Sequence, residues 1–427
     1  MKIMLISIGT RGDMEPFLAI GEIVKEKGHH VICAFPEQFR NMAEDSNLEF
    51  ASLGTKFIEM LDSDVGKAAM GGSGPGLKKF LAYVKLARNQ TEINKELIHK
   101  QYEIIKSEIP DRILYNGKAI YPIIWGLNNR GKHILICPLP YMHYVRDHTH
   151  VAFNSNYGPF LNKLTYSLAN FGLVTTVMIA KRWLKITKKI TRKQIKNALL
   201  SNKAIYTISP SLFSRPGYWK KNLKVLGFHQ GNRKINWRPG KDLNDFLEKH
   251  KNNRILFITF GSMTNPEPEE KTKILIEILE RNKIPAIINT ASGGLIKPDP
   301  FDSERIHFVS HIPYDRIFPK VYGVIHHGGS GTTHLALKYG CAVLIIPHII
   351  DQFVWNKMIY KMGAGPKGIK IGKMTLKNLE PKILELVNNR SFKKKAEQAA
   401  NQMGKENFRE EMYKSIIEKK IVGEMMV

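Results

Sequence analysis

The segment HGGSGTTHLALKYGCAVLIIPHIIDQ, residues 327–352, is the part of the chain that most constrains its fold. It predicts a glycine-rich turn, a helix, a buried apolar strand and an acid–amide pair at the start of the next helix. In a parallel α/β sheet, the loops that follow the strands meet at the edge formed by the strands' carboxyl ends. The glycine turn and the acid–amide pair are therefore predicted to lie at the same edge of one sheet.

Apolar runs alternate with helix-periodic segments along most of the chain, which predicts an α/β fold with parallel sheets. The first series of predicted strands is 3–8, 30–35, 48–52, 112–115, 133–137, 204–209 and 223–226. The second series is 255–260, 286–289, 306–309, 323–326 and 342–346. Helices are predicted at 14–27, 77–107, 121–129, 267–281, 332–339 and 352–362, with a charged helical tail over 376–420.

The length of 427 residues exceeds the size at which a single core stops growing, so two domains are expected. We predict an N-terminal domain over residues 1–227 and a polar, glycine-bearing linker over 228–240. A second domain is predicted over 241–405, followed by a helical tail over 406–427.

Lysine and arginine number 65 against 38 aspartate and glutamate residues, which gives a formal net charge of +27. This balance favours an anionic partner, although solvated lysine-rich faces would give the same composition. The sequence contains no nucleic-acid recognition motif, so a nucleic-acid partner is not predicted. Cys33, Cys137 and Cys341 are far apart in apolar runs, which favours a reducing, cytoplasmic setting without disulfides. The N-terminus is predicted to be a strand, because it lacks the apolar core of a signal peptide.

Residues 164–180 carry no charge, and basic residues follow from Lys181 to Lys196. The uncharged run is shorter than the roughly 20 apolar residues needed to span a bilayer. Two interpretations remain open for this region. It forms either a solvated helical excursion over an apolar pocket or a basic amphipathic face on anionic lipid headgroups. The second interpretation makes the protein a cytoplasmic one with peripheral membrane contact.

The glycine turn and the acid–amide pair have the residue types of a site for a sugar diphosphate. Gly328, Gly329 and Gly331 permit close backbone approach at the start of a helix, where amides and the helix dipole attract phosphate. His327 adds a hydrogen-bond donor, neutral or cationic. Asp351 and Gln352 offer acceptors and donors for sugar hydroxyls, although an acid at this position also serves as a helix cap.

Asp13 follows the first predicted strand and has two interpretations. It is either a general base at the strand's carboxyl end or a helix cap that accepts from the amides of Glu15 or Phe17. The spacing of His143, His148 and His150 would allow metal ligation, but these residues fit a polar loop or the lining of an acceptor pocket better. The string Asp62-Ser63-Asp64 has no strand before it. No metal site is therefore predicted.

Several motifs together resemble the donor-binding region of family 1 glycosyltransferases. These are HHGGSGTT, PHIIDQ and WNKMIYKMGAGPKGI, and GTRGDMEP near the N-terminus resembles the acceptor-side loop of the same enzymes. The resemblance is strongest to sterol glucosyltransferases and to bacterial enzymes that glycosylate natural-product aglycones. No motif of this kind was found in residues 61–203. The resemblance implies the GT-B fold, in which two Rossmann-like domains face each other across a cleft and a C-terminal helix crosses back.

The resemblance also implies roles for individual residues. Asp13 corresponds to the general base, and His311 and Ile312 to the segment that frames the uracil, with Tyr314 beside that segment. Phosphate contacts are implied for Ser262, His327, Ser330, Gly331 and Thr332, and sugar contacts for Asp351 and Gln352. Thr10, Arg11 and Gly12 would face the donor from the other domain.

The function implied is an inverting, metal-independent transfer of a hexose, glucose from UDP-glucose, to a hydroxyl group of a sterol, lipid or aglycone. No cofactor is implied beyond this nucleotide-sugar co-substrate. Two alternatives stay open: an epimerase or carbohydrate-acceptor transferase of the same fold, and a non-catalytic protein that binds a nucleotide sugar or docks on a membrane. The sequence does not identify the acceptor.

Overall fold

The computed structural model describes residues 1–63, 76–231, 237–261, 263, 265 and 267–418, without the side chains at 61, 62, 76–89 and 292. The contacts between residues divide the chain into two compact units. Unit 1 comprises Met1–Met60, Ala87–Arg233 and Asn407–Val427, and unit 2 comprises Leu61–Leu86 and Lys234–Glu406.

Unit 1 is built on a seven-stranded parallel sheet with the order β3-β2-β1-β4-β5-β6-β7. The strands are β1 (Lys2–Ile6), β2 (His30–Phe35), β3 (Glu49–Ser52), β4 (Arg112–Tyr115), β5 (His133–Cys137), β6 (Lys203–Tyr206) and β7 (Leu223–Val225). The helices that belong to the first 201 residues are α1 (Arg11–Glu26), α2 (Arg40–Asp45), α3 (Lys56–Asp62), α4 (Gly76–Glu108), α5 (Tyr121–Asn128), α6 (Pro159–Trp183) and α7 (Arg192–Ser201).

Helix α1 packs on the sheet of unit 1 through an apolar stripe. Met14, Phe17 and Ile20 recur at helical spacing and are fully buried against β1 and β2. The Phe17 ring meets the Phe35 ring edge to face, with 6.4 Å between the ring centroids. The position of α1 is therefore fixed by its core contacts, and this determines where the helix begins at the carboxyl end of β1.

Unit 2 contains a five-stranded parallel sheet with the order β10-β9-β8-β11-β12. Its strands are β8 (Leu256–Thr259), β9 (Ala286–Asn289), β10 (Ile306–Val309), β11 (Gly323–His326) and β12 (Ala342–Ile345). Its helices are α8 (Lys241–Lys249), α9 (Pro268–Arg281), α10 (Tyr314–Ile317), α11 (Ser330–Lys338), α12 (Ile350–Met362), α13 (Leu376–Asn388) and α14 (Arg390–Met403). The register places His326 beside Ile345, so the segments that follow β11 and β12 leave the sheet together.

The end of the chain returns to unit 1 as helix α15 (Arg409–Ile417). Met412 and Ile416 are fully buried in the core that also contains α1. Tyr413 packs against this core, and its Oη lies 3.1 Å from His29 Nε2. The helix is therefore an integral layer of unit 1.

The α/β architecture predicted from the alternation of elements is confirmed, and the differences lie in the bounds of some elements. Strands β1 and β6 end at Ile6 and Tyr206, earlier than predicted, and α1 begins at Arg11, three residues earlier than predicted. Helix α11 begins at Ser330 and α12 at Ile350, two residues earlier than predicted. Helix α8 precedes the second series of strands and was not predicted. Part of the predicted linker, residues 232–236, lies outside the described residues. In the ranges that are described, no helix is both long and apolar enough to cross a membrane.

Candidate active-site residues in each unit

Asp13 lies in the first turn of α1 and not at the end of β1, where the sequence had placed it. The backbone N–H of Thr10, the residue before the helix, donates to Asp13 Oδ2 at 2.8 Å. This is a capping contact, but it differs from the predicted one, which had Asp13 accepting from amides that follow it. The carboxylate is thus held at the start of the helix, with 21% of the side chain exposed.

Gly9 is the residue that lets Asp13 occupy this position. Its φ of +145° lies in a region that side-chain-bearing residues rarely adopt. A Cβ atom added to Gly9 would lie 2.0 Å from Asp13 Oδ2 and 2.7 Å from Lys118 Nζ. Any other residue at position 9 would therefore displace the carboxylate.

Lys118 and Asn116, which no sequence motif indicated, complete the surroundings of Asp13. Lys118 Nζ lies 3.1 Å from Asp13 Oδ1 and 3.2 Å from Oδ2. Buried Asn116 donates to Ser7 Oγ at 3.0 Å and to the Ile8 carbonyl oxygen at 2.7 Å. Asn116 directly follows β4, the neighbour of β1, and this order is the signal that could have revealed the cluster.

The other predicted residues of this loop have different surroundings. Thr10 is the N-cap residue of α1, and Arg11 forms an exposed ion pair with Glu15 at 3.1 Å. Nothing lies within 4 Å of the place where a Cβ atom of Gly12 would stand. The structure therefore brings Thr10 and Asp13 together and directs Arg11 to a surface pair.

In unit 2, the glycine turn packs directly against the acid–amide pair. Gly328 has a φ of +98°, and its N–H donates to His326 Nδ1 at 3.0 Å. A Cβ atom at Gly328 would lie 2.8 Å from Ile345 Cγ2 and 3.0 Å from Gln352 Cβ. The two polar parts of the segment, predicted to share one edge of the sheet, are therefore in van der Waals contact.

The first backbone N–H groups of helix α11 have no carbonyl acceptor within the helix, because no turn precedes them. Gly329 is the N-cap residue, and Ser330, Gly331 and Thr332 occupy the first turn. Thr333 begins the regular pattern, since its N–H and Oγ1 both donate to the Gly329 carbonyl oxygen. A Cβ atom at Gly331 would meet nothing within 4 Å, so packing within the chain does not require glycine there. This open start, with no acidic side chain in the first turn, suits an anion.

His327 is buried next to that helix start. Its ring occupies space left by two glycines, because a Cβ atom at Gly261 or at Gly329 would lie 2.6 Å from it. Burial lowers the pKa of His327 well below 6.5, and His326 and His348 lower it further. Among the described residues, Nδ1 is buried without a hydrogen-bond partner. Of the two forms left open by the sequence, the structure favours the neutral one.

Gln352 caps helix α12, the role that the sequence had offered to Asp351. Its Oε1 accepts from the backbone N–H of His348 at 2.7 Å and from that of Ile349 at 3.2 Å. The side chain is almost fully buried, while Asp351 is half-buried in the same first turn. The Gln352 carbonyl oxygen is thus committed to the helix start, and its Nε2 amide is the group that can donate to a ligand.

Tyr314 contributes a polar cluster at the ends of β8 and β9. Its Oη lies 2.8 Å from Thr259 Oγ1, and Asn289 Nδ2 donates to it at 3.3 Å. Just before α10, which Tyr314 begins, His311 is exposed and Ile312 is buried. Ser262, predicted to contact the diphosphate, lies outside the described residues.

The histidines of unit 1 that were considered as metal ligands, His143, His148 and His150, make aromatic and hydrogen-bond contacts. His143 Nδ1 lies 2.7 Å from Tyr206 Oη, and the His148 ring stacks on Tyr141 with 3.9 Å between the centroids. Burial lowers the pKa values of His143 and His150 to about 4. Among the side chains described, no group of three or more histidine, cysteine or acidic residues is arranged to hold a metal ion.

Two family models match separate parts of the chain. Residues 3–108 match the N-terminal domain of glycosyltransferase family 28, and residues 302–419 match the C-terminal domain of the erythromycin biosynthesis protein CIII-like proteins. Two sterol 3-beta-glucosyltransferases of Arabidopsis thaliana are 28% and 27% identical to this chain, over 95% and 90% of its length. The chain spans 64% and 62% of the lengths of those two relatives.

The fold of this chain is similar to that of solved glycosyltransferase structures. A glycosyltransferase of kitacinnamycin superposes with a TM-score of 0.66 over 97% of this chain and 96% of its own, at 14% identity. A spinosyn rhamnosyltransferase bound to thymidine diphosphate gives 0.64 over 97% and 100%, also at 14% identity. Both unit sheets thus belong to the GT-B fold. The family 28 domain, the sterol glucosyltransferase relatives and the solved structures support the resemblance to family 1 glycosyltransferases. Similarity to the relatives covers the middle of the chain, where motifs alone had shown no resemblance.

The buried histidines give this chain a pH-dependent stability. Burial lowers the pKa of His326 to about 3 and those of His334 and His348 to about 4, below the ordinary value of 6.5. Between these pKa values the unfolded chain binds more protons than the folded chain. The contribution of the neutral, buried histidines to stability is therefore fully present well above pH 6.5 and is lost as the pH falls towards 4. By pH 5, each histidine is expected to lower the free energy of unfolding by about 2 kcal/mol.

Urea denaturation followed by tryptophan fluorescence at pH 7.5, 6 and 5 measures this effect. We expect His334→Gln to flatten the pH dependence, because it removes one buried titrating ring. His99→Gln, on the partly exposed surface of α4, is the control and should leave the dependence unchanged. An unfolding free energy that stays constant from pH 7.5 to 5 would contradict the interpretation.

Proposed function

We propose that this chain transfers a hexose, with inversion, from a nucleotide diphosphate sugar to a hydroxyl group of an apolar acceptor. The donor proposed is UDP-glucose, and the acceptor class comprises sterols, lipids and polyketide-like aglycones. The observation that carries the proposal is the contact between Gly328 and Gln352 beside the open start of α11. This contact joins an anion-binding helix start to a group that hydrogen-bonds hydroxyls.

Unit 2 is assigned to the donor. The amides of Ser330, Gly331 and Thr332 bind the diphosphate, and neutral His327 adds a hydrogen bond without charge. Asp351 and Gln352 bind sugar hydroxyls, in the latter case through Nε2. This assignment stabilises the departing diphosphate through amides and a helix dipole, and it requires no metal ion.

Unit 1 is assigned the base. Asp13 takes the proton of the acceptor hydroxyl while the hydroxyl oxygen forms a bond to the anomeric carbon of the sugar. The bond from that carbon to the diphosphate oxygen breaks, and the electron pair leaves with the nucleoside diphosphate. The ordered position of the carboxylate, held by Thr10 and Lys118, supports this role.

The names of similar proteins support the choice of substrates. The curated relatives are sterol 3-beta-glucosyltransferases, which favours glucose as the sugar and an apolar acceptor. Two of the structural neighbours are complexes with thymidine diphosphate, which favours a pyrimidine nucleotide. Thymidine diphosphate sugars therefore belong in the donor panel beside uridine diphosphate sugars.

Replacing the proposed base tests the mechanism. We expect Asp13→Asn to lower the rate of transfer about 100-fold or more, because the amide keeps the shape of the side chain but cannot accept the proton. The assay measures nucleoside diphosphate release across nucleotide sugars and apolar alcohols. Asp45→Asn, the same change on the exposed surface of α2, is the matched control. If the Asp13 variant keeps activity within a few-fold, Asp13 is not the base.

Filling the open space at Gly331 tests the donor site. We expect Gly331→Val to weaken UDP binding, measured by calorimetry, at least tenfold, because the new side chain would stand where the diphosphate is proposed to bind. The fold should be retained, since a Cβ atom there meets nothing within 4 Å. Gly240→Val, at another open glycine of unit 2, should leave binding unchanged. Equal affinities for the two variants would exclude the helix start as the diphosphate site.

Removal of divalent cations tests the metal independence of the proposal. We expect transfer to proceed at an unchanged rate after dialysis against EDTA, because helix amides supply the stabilisation of the leaving group. The same release assay with and without added Mg²⁺ provides the measurement. A loss of activity that Mg²⁺ restores would show that a metal ion binds the diphosphate.

A further inference from the structure

Helix α6 (Pro159–Trp183) exposes large apolar side chains along one face. The exposed fractions are 83% for Phe160, 48% for Leu164, 51% for Leu168 and 63% for Phe171. These positions recur every three or four residues, so they share one face of the helix, and Leu161 and Ile179 extend it. A continuous exposed apolar face of this kind marks an interaction surface.

The opposite side of α6 anchors the helix to unit 1, partly through polar residues. Val174, Val177 and Ala180 are buried in the unit's core. Asn162 is fully buried and donates to the Arg146 carbonyl oxygen at 2.8 Å, and Thr165 Oγ1 accepts from the His150 N–H at 2.9 Å. The first half of the helix therefore buries polar side chains and turns phenylalanine and leucine outward.

The charge around this face is of one sign. From His148 to Lys241 the sequence contains no aspartate or glutamate. Exposed cations follow the apolar face in α6, α7 and the turn between them: Arg182, Lys185, Lys188, Lys189, Arg192, Lys193 and Lys196. Arg192 lies over the Phe171 ring, 5.6 Å from its centroid, and donates to Thr175 Oγ1 at 3.2 Å. Among the side chains that the structure describes, none of these cations forms an ion pair with a carboxylate.

We propose that α6 docks on the surface of an anionic lipid bilayer. Phe160, Leu164, Leu168 and Phe171 insert between the headgroups, and the cations between Lys181 and Lys196 contact lipid phosphates. A bilayer surface supplies both an apolar layer and negative charge, whereas a nucleic acid would leave the apolar face in water. A second copy of this chain would bring two sets of cations together, so like charges oppose self-association through this face. The proposal does not depend on the sugar-transfer activity.

Co-sedimentation with vesicles tests the docking. We expect the protein to bind vesicles of phosphatidylcholine with phosphatidylglycerol, and to bind phosphatidylcholine alone at least tenfold more weakly. The double variant Leu168→Glu/Phe171→Glu should lower partitioning to anionic vesicles at least tenfold. Ile109→Glu, at an isolated apolar residue that is 79% exposed, is the matched control and should bind as the wild type does. Circular dichroism checks that each variant is folded.

A charge test separates the local cations from the net charge of +27. The triple variant Lys188→Glu/Lys189→Glu/Lys193→Glu should lower binding at least tenfold and reduce its dependence on salt. Lys394→Glu/Lys395→Glu/Lys405→Glu changes the net charge equally at exposed positions of unit 2 and should bind nearly as the wild type does. Equal losses from the two triple variants would overturn a docking surface at α6.

Insertion has its own spectroscopic readout. In Phe171→Trp, the new indole should shift its emission to the blue on anionic vesicles and be quenched by brominated lipid. Ile109→Trp should show neither change. Two results would overturn the proposal: vesicle binding that survives Leu168→Glu/Phe171→Glu, or a lipid-free dimer that this double variant dissociates, which would make a second copy the occupant.

Discussion

The contact between Gly328 and Gln352 is the constraint on which the candidate site of unit 2 depends. Only a glycine can approach the Gln352 backbone so closely, and only a φ near +98° directs the chain into α11 at that point. Gln352 in turn holds the N–H groups of His348 and Ile349, which fixes the start of α12. The ends of two neighbouring strands and the starts of two helices therefore form one rigid assembly, as a site for a two-part ligand requires.

In unit 1, a positive-φ glycine likewise leaves space for a neighbouring side chain, which here is a carboxylate. Gly9 follows the interior strand β1 with a positive φ, and the space it leaves is occupied by the Asp13 carboxylate. The capping bond from Thr10 occupies Oδ2, and Lys118 contacts both oxygens. Cap and base were alternatives at the level of sequence, but the geometry makes them compatible. A cap bond orients the carboxylate without removing its capacity to accept a proton.

The sequence predicted strands better than it predicted contacts between them. The bounds of β2, β4, β5, β9, β10 and β11 coincide with the predicted ones, because buried parallel strands are continuous apolar runs. The helix starts at Ser330 and Ile350 were placed too late, since polar or isolated first-turn residues carry little periodicity. Lys118 was missed because its contact with Asp13 spans 105 residues and depends on the pairing of β1 with β4.

The middle of the chain shows why composition could not choose between its two interpretations. A solvated helix and a lipid-facing helix can contain the same residues and differ only in which face packs on the protein. In α6 the packed face includes Asn162 and Thr165, whose polar groups are satisfied by the preceding loop, so they can be buried at little cost. The amide of Asn162 and the hydroxyl of Thr165 are thus turned inward, and Phe160 and Leu164 remain outside. An outward apolar face is stable in water only at a free-energy cost, which contact with an apolar layer removes.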